Sequence, residues 1–337
     1  MLGSLRFFLA LSVVVAHLAE GVQFFTHWGL FAVFGFYLIS GYLITTILNE
    51  TYHFRFSAFV VNRFLRLFPI YYVVAAATIP AIILSNSAYG FHPAWTIQTS
   101  WIDVLGNILI IPFEFYDSSF RLVPPAWSVA VELINYLILW LIAARSRSLA
   151  IFIFLLACAY HIASLWSGAD WGKRYYPFYA ALLPFSLGAL VYFFRNSISN
   201  GSPRLQAFIA NFSCAAWLAN LALCDFLGGI GGRLFSLLFY VNLAALAIFL
   251  YVTVSSPKSV PRWKWDKQIG DLAYPIFLTH WIISYLVGQY FLDGQRRGMI
   301  LLAASIVPII VVSYALAKMA DKMIEPLRNQ VRSGIKP

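Results

Sequence analysis

Residues 2–19 read Leu-Gly-Ser-Leu-Arg-Phe-Phe-Leu-Ala-Leu-Ser-Val-Val-Val-Ala-His-Leu-Ala, an apolar run with one arginine, Arg6, and one histidine, His17. These residues are 11 positions apart. Because 11 residues make nearly three turns of α-helix, their side chains leave one face roughly 16 Å apart. Ionisable residues are costly in lipid, so the pair predicts a functional site on a membrane-spanning helix. A signal peptide is the alternative, but a cut after Ala19 would put His17 where a small residue is needed.

The composition of the whole chain predicts a helical membrane protein. Hydrophobic residues make up 61% of the 337 residues and charged residues only 11%, whereas soluble domains are about half apolar and one quarter charged. The apolar runs are long and unalternating, so they indicate helices rather than the strands of a transmembrane barrel. The cysteines Cys158, Cys214 and Cys224 lie in or beside apolar runs and indicate neither a disulfide framework nor a metal site.

Apolar runs that can cross a hydrocarbon core of about 30 Å recur along the chain. The predicted spans are residues 3–19, 29–48, 69–84, 126–143, 149–166, 177–194, 207–227, 234–254, 272–291 and 299–317. The run from Leu105 to Ile111 is too short to span, so we expect a re-entrant or interfacial segment there. Ser40-Gly41 in the second span predicts close packing against a neighbouring helix. The sequence therefore predicts an all-α, polytopic transmembrane helical bundle of about ten spans.

The Lys and Arg residues predict the orientation of this bundle. With the N-terminus inside the cell, 17 of the 23 Lys and Arg residues fall in cytoplasmic segments and 6 in outer segments. This bias follows the positive-inside rule and predicts that both termini are cytoplasmic. It also accounts for the net charge of +10 without a nucleic-acid partner. We expect one transmembrane domain over residues 1–320 and a short basic cytoplasmic tail over residues 321–337.

A polar stripe lies between the second and third predicted spans. Its members, spaced as on one face of a helix whose other face is apolar, are Arg55, Asn62, Arg63 and Arg66. Two interpretations remain open. The stripe is either an interfacial helix that binds anionic lipid or a cytoplasmic clamp in which Arg63 and Arg66 bind phosphate groups. The chain contains no glycine-rich loop of the kind that binds ATP or NAD.

A second polar stripe opens the fourth predicted span at Ser128, Glu132 and Tyr136, which are spaced at i, i+4 and i+8. A carboxylate within a span needs a partner, and we expect Glu132 to contact His17 because both lie near the outer face. Such a contact fixes the imidazole tautomer and suits a general base. The alternative is a purely structural pair between two helices. His280, in the ninth predicted span, either lines a polar cavity or is structural.

Six short elements follow one another along the chain. They are Leu5-Arg6 with His17, residues 32–44, residues 63–69 (Arg-Phe-Leu-Arg-Leu-Phe-Pro), Trp127-Ser128 with Glu132, residues 269–280, and Ile324-Glu325-Pro326. Together they resemble the membrane-bound acyltransferase family 3, whose bacterial members O-acylate surface polysaccharides and related glycans. Three residues depart from the family's pattern: Ala32 replaces a glycine, Phe34 a polar residue and Ala273 a serine. These departures leave the charged positions intact.

The resemblance implies a multi-pass O-acyltransferase of the bacterial inner membrane, surrounded by membrane lipids. Acyl-CoA, in the first place acetyl-CoA, would be the co-substrate, with no permanently bound cofactor and no metal. Arg63 and Arg66, with Arg6, would bind the CoA phosphates. His17 would act as general base or acyl carrier, oriented by Glu132, on a hydroxyl of a glycan or glycolipid acceptor. Further candidates for substrate binding or transition-state stabilisation are Ser128, Tyr136, Tyr274 and His280.

A transporter of a small anion or a lipid-linked sugar is the alternative function. Intramembrane His and Glu residues and a basic cytoplasmic face suit transport as well. Transporters commonly contain internal repeats with interrupted helices at corresponding positions. The sequence shows no internal repeat, which favours the enzyme.

Overall fold

The computed structural model of the chain describes residues 1–19, 23–84, 87–96, 100–197, 201–227, 232–255 and 265–334. Within these ranges the regular secondary structure is helical and contains no strand, so the predicted all-α fold is confirmed. Four residues that entered the charge count lie outside the described residues: Lys258, Arg262, Lys264 and Lys336.

Helices occupy all ten predicted spans. The helices are Leu2–Leu18 (α1), Trp28–Ile47 (α2), Phe56–Ile83 (α3), Ala88–Phe91 (α4), Trp101–Leu109 (α5), Ala126–Ile138 (α6), Arg147–Trp166 (α7), Phe178–Phe194 (α8), Pro203–Leu227 (α9), Arg233–Ser255 (α10), Asp266–Asp271 (α11), Ala273–Phe291 (α12), Met299–Met323 (α13) and Glu325–Ser333 (α14). Turns of π-helix at Leu48–Tyr52 and Leu139–Ala143 extend α2 and α6. Turns of 3-10 helix lie at Gln23–Phe25, Ile111–Glu114 and Trp171–Arg174.

The lengths and hydropathies of these helices are those of a multi-pass membrane protein. In the part of the chain that the structure describes, eight helical segments are long and apolar enough to cross a membrane, and α1 is a shorter apolar helix. At the ninth predicted span, α12 is 19 residues long and most of its residues are buried. A helix enclosed by other helices tolerates polar residues that a lipid-facing helix does not.

The third predicted span begins earlier than expected. The polar stripe and the span form one helix, α3, of 28 residues, which continues through Pro69 and Pro80. The interpretation of the stripe as a separate interfacial helix is therefore wrong. Asn62 and Arg63 are buried, which means that this part of α3 faces the bundle.

The helix that carries Arg6 and His17 lies inside the bundle. Its neighbours are α2, α11 and α12, while α2 also packs on α8, α9 on α10 and α12 on α13. About half of the residues of α1 are buried by these helices. Because α1 has protein on several sides, both ionisable side chains project into the bundle rather than into lipid.

Two glycines set the distance between α2 and α8. A Cβ atom on Gly41 would lie 2.2 Å from the carbonyl oxygen of Phe185, and one on Gly188 would lie 2.2 Å from the carbonyl oxygen of Leu38. Neither distance leaves room for a methyl group, so the two backbones touch at these positions. The packing role predicted for Ser40-Gly41 is confirmed for the glycine.

We expect Gly188→Ala to destabilise the protein by about 1–3 kcal/mol, because the added methyl group must push two helix backbones apart. Thermal unfolding in detergent measures the effect. Gly334→Ala is the matched control, since a Cβ atom there has its nearest neighbour at 3.5 Å. Equal unfolding temperatures for the two variants would show that α2 and α8 are not in contact at Gly188.

A carboxylate on α11 holds the beginning of α1. Asp266 accepts hydrogen bonds from the backbone N–H groups of Gly3 and Ser4, both at 2.9 Å, and from the Ser4 hydroxyl at 2.6 Å. The first N–H groups of a helix have no partner within the helix, and a negative charge there interacts favourably with the helix dipole. Gly270 packs so closely on Gly3 that its Cβ atom would lie 2.5 Å from the Gly3 Cα. Together these contacts fix where α1 enters the bundle.

The stabilisation by Asp266 should depend on pH. Burial opposes ionisation of this carboxyl, but hydrogen bonds from the Met1 amino group, Ser4 and Gly3 lower its pKa below the ordinary 3.8. A pKa lowered by folding means that the carboxylate stabilises the folded state above pH 3.8, and that this stabilisation is lost as pH falls through the folded-state pKa. Asp266→Asn should therefore unfold at a lower temperature than wild type at pH 7.

Unfolding followed by tryptophan fluorescence between pH 7 and pH 3 checks this prediction. The difference between wild type and Asp266→Asn should shrink below about pH 4. Asp293→Asn, a change at an exposed loop position, is the control and should track wild type throughout. A difference that stays constant with pH would mean that the charge on Asp266 is not what holds α1.

Candidate active site

The first of two central cavities, which we call the arginine cavity, has a volume of about 160 Å³ and lies between α1, α2, α3, α6 and α12. Its polar lining residues are Arg6, Tyr37, Ser40, Arg63, Arg66, Ser128, Glu132, Tyr136 and Tyr274. Among these described residues, three carry guanidinium groups and one a carboxylate. The cavity therefore has an excess of positive charge and suits an anionic ligand.

The arginines of this cavity make no close ion pair among the described residues, although Asp271 lines a neighbouring space with Arg6 and Arg66. Among the described residues, no ion pair within 4.0 Å joins Arg6, Arg63 or Arg66 to a carboxylate. Arg63 is only 9% exposed; its Nη2 donates to the Asn62 side chain at 3.2 Å, and its buried Nε has no hydrogen-bond partner. Arg63 is thus a buried cation without a carboxylate partner among the described residues, which is costly and indicates that this part of the cavity receives negative charge from a ligand.

Glu132 is held within the arginine cavity. Its carboxylate accepts hydrogen bonds from the Ser40 hydroxyl, at 2.6 Å, and from the Tyr136 hydroxyl. The expected contact with His17 is wrong, because the nearest partner of His17 is His280, whose Nε2 lies 3.0 Å from the His17 Nδ1. Glu132 lies one helical turn, about 6 Å, beyond Ser128 on α6. That turn carries it away from His17.

The second central cavity, which we call the histidine cavity, has a volume of about 290 Å³. Its polar and aromatic lining residues are His17, Thr26, His92, Arg121, Trp127, Ser128, Tyr175, Tyr176, Phe277 and Trp281. The rings of His17 and His92 lie on Trp281, with centroids 5.0 Å and 4.4 Å from its ring. Many aromatic rings beside few charges make a surface on which sugar rings can pack.

The two cavities adjoin, because three residues line both. Val33, Ser128 and Phe277 line both of them. On one side of this boundary lies Arg6 and on the other His17, which are separated along α1 by roughly 16 Å. The two cavities thus follow one another along α1, with the three arginines in one and the histidine in the other.

Each central cavity also adjoins a cavity nearer the surface. A space of about 70 Å³ shares Arg6, Arg66 and Tyr274 with the arginine cavity and extends to Glu325 and Arg328 around α14. Another space shares His92 and Arg121 with the histidine cavity. The predicted tail thus contains a helix that takes part in the site, where Glu325 pairs with Arg328 at 2.5 Å and Arg332 at 3.0 Å.

The predicted hydroxyl donors line the arginine cavity, but each already donates its hydrogen bond to another group of the protein. Ser128, Tyr136 and Tyr274 all line the arginine cavity. Ser128 donates to the Pro125 carbonyl at 2.9 Å and Tyr274 to the Leu67 carbonyl at 3.0 Å, while Tyr136 donates to Glu132. In this conformation the guanidinium groups are the cavity's donors that make no ion pair within 4.0 Å among the described residues.

The residues of the histidine cavity that sequence reasoning missed include His92, Arg121 and Trp281. The first two lie on segments that connect helices, where no periodicity predicts which way a side chain points. Trp281 directly follows His280 and looks like any aromatic residue of a buried helix. No signal in the single sequence could have placed these residues beside His17.

A family model described as "Acyltransferase domain" matches residues 2–318. The chain belongs to this family. A curated relative from Bacillus subtilis (strain 168), named "Putative peptidoglycan O-acetyltransferase YrhL", is 26% identical over 317 residues, which cover 85% of this chain and 48% of the relative. The chain thus spans about half the length of the curated relative that it matches. No solved structure matches the chain.

This membership confirms the family resemblance of the six sequence elements. It also assigns the polytopic bundle to a membrane acyltransferase. An acyltransferase of this kind must bring an acyl donor and an acceptor together, and two adjoining cavities of different chemistry suit that task.

Arg63→Met should raise the unfolding temperature of the ligand-free protein, by an amount that corresponds to about 1 kcal/mol or more, because it removes a buried charge that lacks a counter-ion. The measurement is thermal unfolding in detergent, in a buffer without phosphate. As a control, Arg195→Met removes an arginine that is paired with Glu50 at 2.7 Å near the surface, and it should leave stability within about 0.5 kcal/mol of wild type. A destabilised Arg63→Met would show that Arg63 serves the fold.

Proposed function

We propose that this protein is an integral membrane O-acetyltransferase of the bacterial inner membrane. It moves the acetyl group of cytoplasmic acetyl-CoA to a hydroxyl group of a glycan or glycolipid on the outer side. The adjoining arginine and histidine cavities along α1 carry the proposal. The family membership supports acyl transfer, the relative's printed name supports an acetyl group and a glycan acceptor, and the distribution of Lys and Arg supports a cytoplasmic arginine cavity.

The donor binds at the arginine cavity. Arg6, Arg63 and Arg66 contact the phosphate groups of CoA, since guanidinium groups bind phosphate oxygens in pairs of charge-assisted hydrogen bonds. The slim pantetheine arm extends along α1 and carries the thioester to the boundary lined by Val33, Ser128 and Phe277. Acetyl-CoA enters and CoA leaves as a co-substrate.

The reaction takes place where the thioester meets the acceptor hydroxyl beside His17. The His17 imidazole removes the hydroxyl proton as general base, and the oxygen attacks the thioester carbonyl carbon. The ester C–O bond forms while the C–S bond breaks, and the proton passes from the imidazolium to the leaving sulfur. Glu132 has a different role from the one expected. It offsets part of the arginine charge and keeps Ser40 and Tyr136 in place.

The acceptor binds at the histidine cavity. Trp127, Tyr175, Tyr176 and Trp281 surround the space in front of His17, and aromatic faces pack well against the apolar faces of sugar rings. Transport of an anion or a lipid-linked sugar is less well supported, because the family is one of acyltransferases.

Proteoliposomes supplied with radiolabelled acetyl-CoA and peptidoglycan fragments test the proposal. His17→Ala should lower kcat by at least about 100-fold, since general base catalysis contributes that much. Arg63→Gln should raise the KM for acetyl-CoA by about 10-fold, which corresponds to the loss of one hydrogen bond to a charged group. Arg147→Gln, which changes an arginine that lies over the Phe194 ring, is the control and should leave both constants unchanged.

Lipid-linked saccharides and an exopolysaccharide, offered in parallel, distinguish the acceptors. Release of the label by mild alkali would identify an ester. Equal transfer by wild type and His17→Ala would refute the catalytic role of His17. Label that accumulates unbound inside the vesicles would instead support the transporter.

A further inference from the structure

His17 and His280 form a hydrogen-bonded pair of rings. The Nδ1 atom of His17 lies 3.0 Å from the Nε2 atom of His280, and the Nδ1 atom of His280 lies 2.8 Å from the carbonyl oxygen of Phe277. The ring planes differ by only 13° and the centroids are 5.2 Å apart. Because the closest nitrogens lie between the centroids, the rings meet edge to edge in nearly one plane, which is the geometry of a hydrogen bond between them.

The Phe277 carbonyl oxygen determines which nitrogen atoms of His280 and His17 carry protons. A carbonyl only accepts hydrogen bonds, so the Nδ1 atom of His280 carries a proton. In a neutral imidazole the Nε2 atom then has a free lone pair, which accepts the proton of the His17 Nδ1. His17 is therefore the Nδ1–H tautomer, and the lone pair is left on its Nε2 atom.

The surroundings keep His280 neutral. Its side chain is 0% exposed, and a charged imidazole without water or a counter-ion is costly. Among the described residues, neither ring of the pair has a carboxylate as hydrogen-bond partner. The Arg297 guanidinium lies over the Trp281 ring at 4.6 Å, and this ring contacts both histidines, so the local positive charge disfavours a second one on the pair.

We propose that His280 is a positioning residue for acyl transfer: through the Phe277 carbonyl it fixes the tautomer of His17 and leaves the Nε2 lone pair of His17 for the acceptor hydroxyl in the histidine cavity. This inference rests on the proposed function of His17 as general base. It differs from the substrate-binding role expected for His280, which lies behind His17 and is not among the residues that line either central cavity.

In this arrangement His280 takes the role that a carboxylate has in other sites, and no negative charge is buried. In triads of the serine-hydrolase type, a carboxylate accepts the Nδ1–H bond of the basic histidine and stabilises the imidazolium. Here the neutral His280 accepts that bond, backed by a backbone carbonyl one helical turn earlier on α12. As the hydroxyl proton reaches the Nε2 atom of His17, the bond to His280 becomes charge-assisted and strengthens.

Nitrogen-15 NMR of histidine-labelled protein in detergent tests the tautomer without any substrate. The His17 signals, assigned by their loss in His17→Ala, should show a protonated Nδ1 and an unprotonated Nε2 at pH 8. In His280→Leu, His17 should change from the Nδ1–H tautomer to the Nε2–H tautomer, which free histidine prefers. A protonated Nε2 on His17 in the wild type, or an unchanged tautomer in His280→Leu, would overturn the proposal whatever the activity.

Kinetics in the proteoliposome assay test the consequence for the reaction. His280→Leu should lower kcat by at least about 10-fold, a part of the general-base contribution, and change the KM for acetyl-CoA less than about 2-fold, because no binding contact is lost. His280→Gln, whose amide oxygen can accept from His17, should keep kcat within about 5-fold of wild type. The double variant His17→Ala/His280→Leu should be no slower than His17→Ala, since both act through one group.

His161→Leu is the matched control for the loss of a buried histidine. His161 is 3% exposed and contacts the Tyr240 hydroxyl at 2.8 Å and the Ala180 carbonyl at 3.0 Å, and it lies outside the two central cavities. This variant should keep the wild-type kcat. If His280→Leu fails to fold, His280→Asn, whose shorter amide cannot reach His17, takes its place.

The outcomes separate the two proposals. A wild-type kcat in His17→Ala refutes the proposed function. An inactive His17→Ala beside a His280→Leu with the kcat of wild type refutes the role of His280 alone. Equal losses in His280→Leu and His280→Gln, with the tautomer of His17 unchanged, would assign His280 to packing.

Discussion

The position of α1 is the constraint on which the site depends. A carboxylate on α11 binds the first N–H groups of this helix, and two glycines let the two elements touch. Since α1 is rigid, fixing its beginning also fixes the depth of Arg6 and of His17 three turns later. The other helical groups of the site are placed relative to these two side chains by a helix that packs against α1 or by a neighbour of such a helix.

The arrangement of charges in the arginine cavity lowers the stability of the fold. Three arginines share a cavity with one carboxylate, and that carboxylate is occupied by Ser40 and Tyr136. A protein selected only for stability would fill this space with apolar side chains. The close packing of α2 on α8 at Gly41 and Gly188 contributes stability elsewhere in the bundle.

The fold was predictable from the sequence because long apolar runs admit few alternatives in a membrane. Helical periodicity also predicted that Arg6 and His17 share a face, and that Ser128, Glu132 and Tyr136 form one stripe. The partner of Glu132 was not predictable, because hydropathy locates a residue along a span only to within about a turn. One turn separates the cavity of His17 from that of Glu132.

His280 shows a second limit of sequence reasoning. A lone histidine in an apolar helix has no pattern that reveals its partner, and its role depends on which nitrogen faces which neighbour. That information exists only once α1 and α12 are packed together. The prediction that a span and a separate interfacial helix make up α3 was wrong for a related reason. Pro69 favours a helix boundary in the sequence, but in the packed bundle the helix continues through it.

The boundary between the two cavities has a consequence for the cell's energy supply. A path that leads through a coupling membrane and is wide enough for water would conduct protons and dissipate the electrochemical gradient. Val33, Ser128 and Phe277 lie where the cavities meet, and apolar side chains that constrict a pore exclude water and ions. If the proposed function holds, the side chains beside which an acyl thioester would pass would also insulate the membrane electrically, so that acyl transfer would not discharge it.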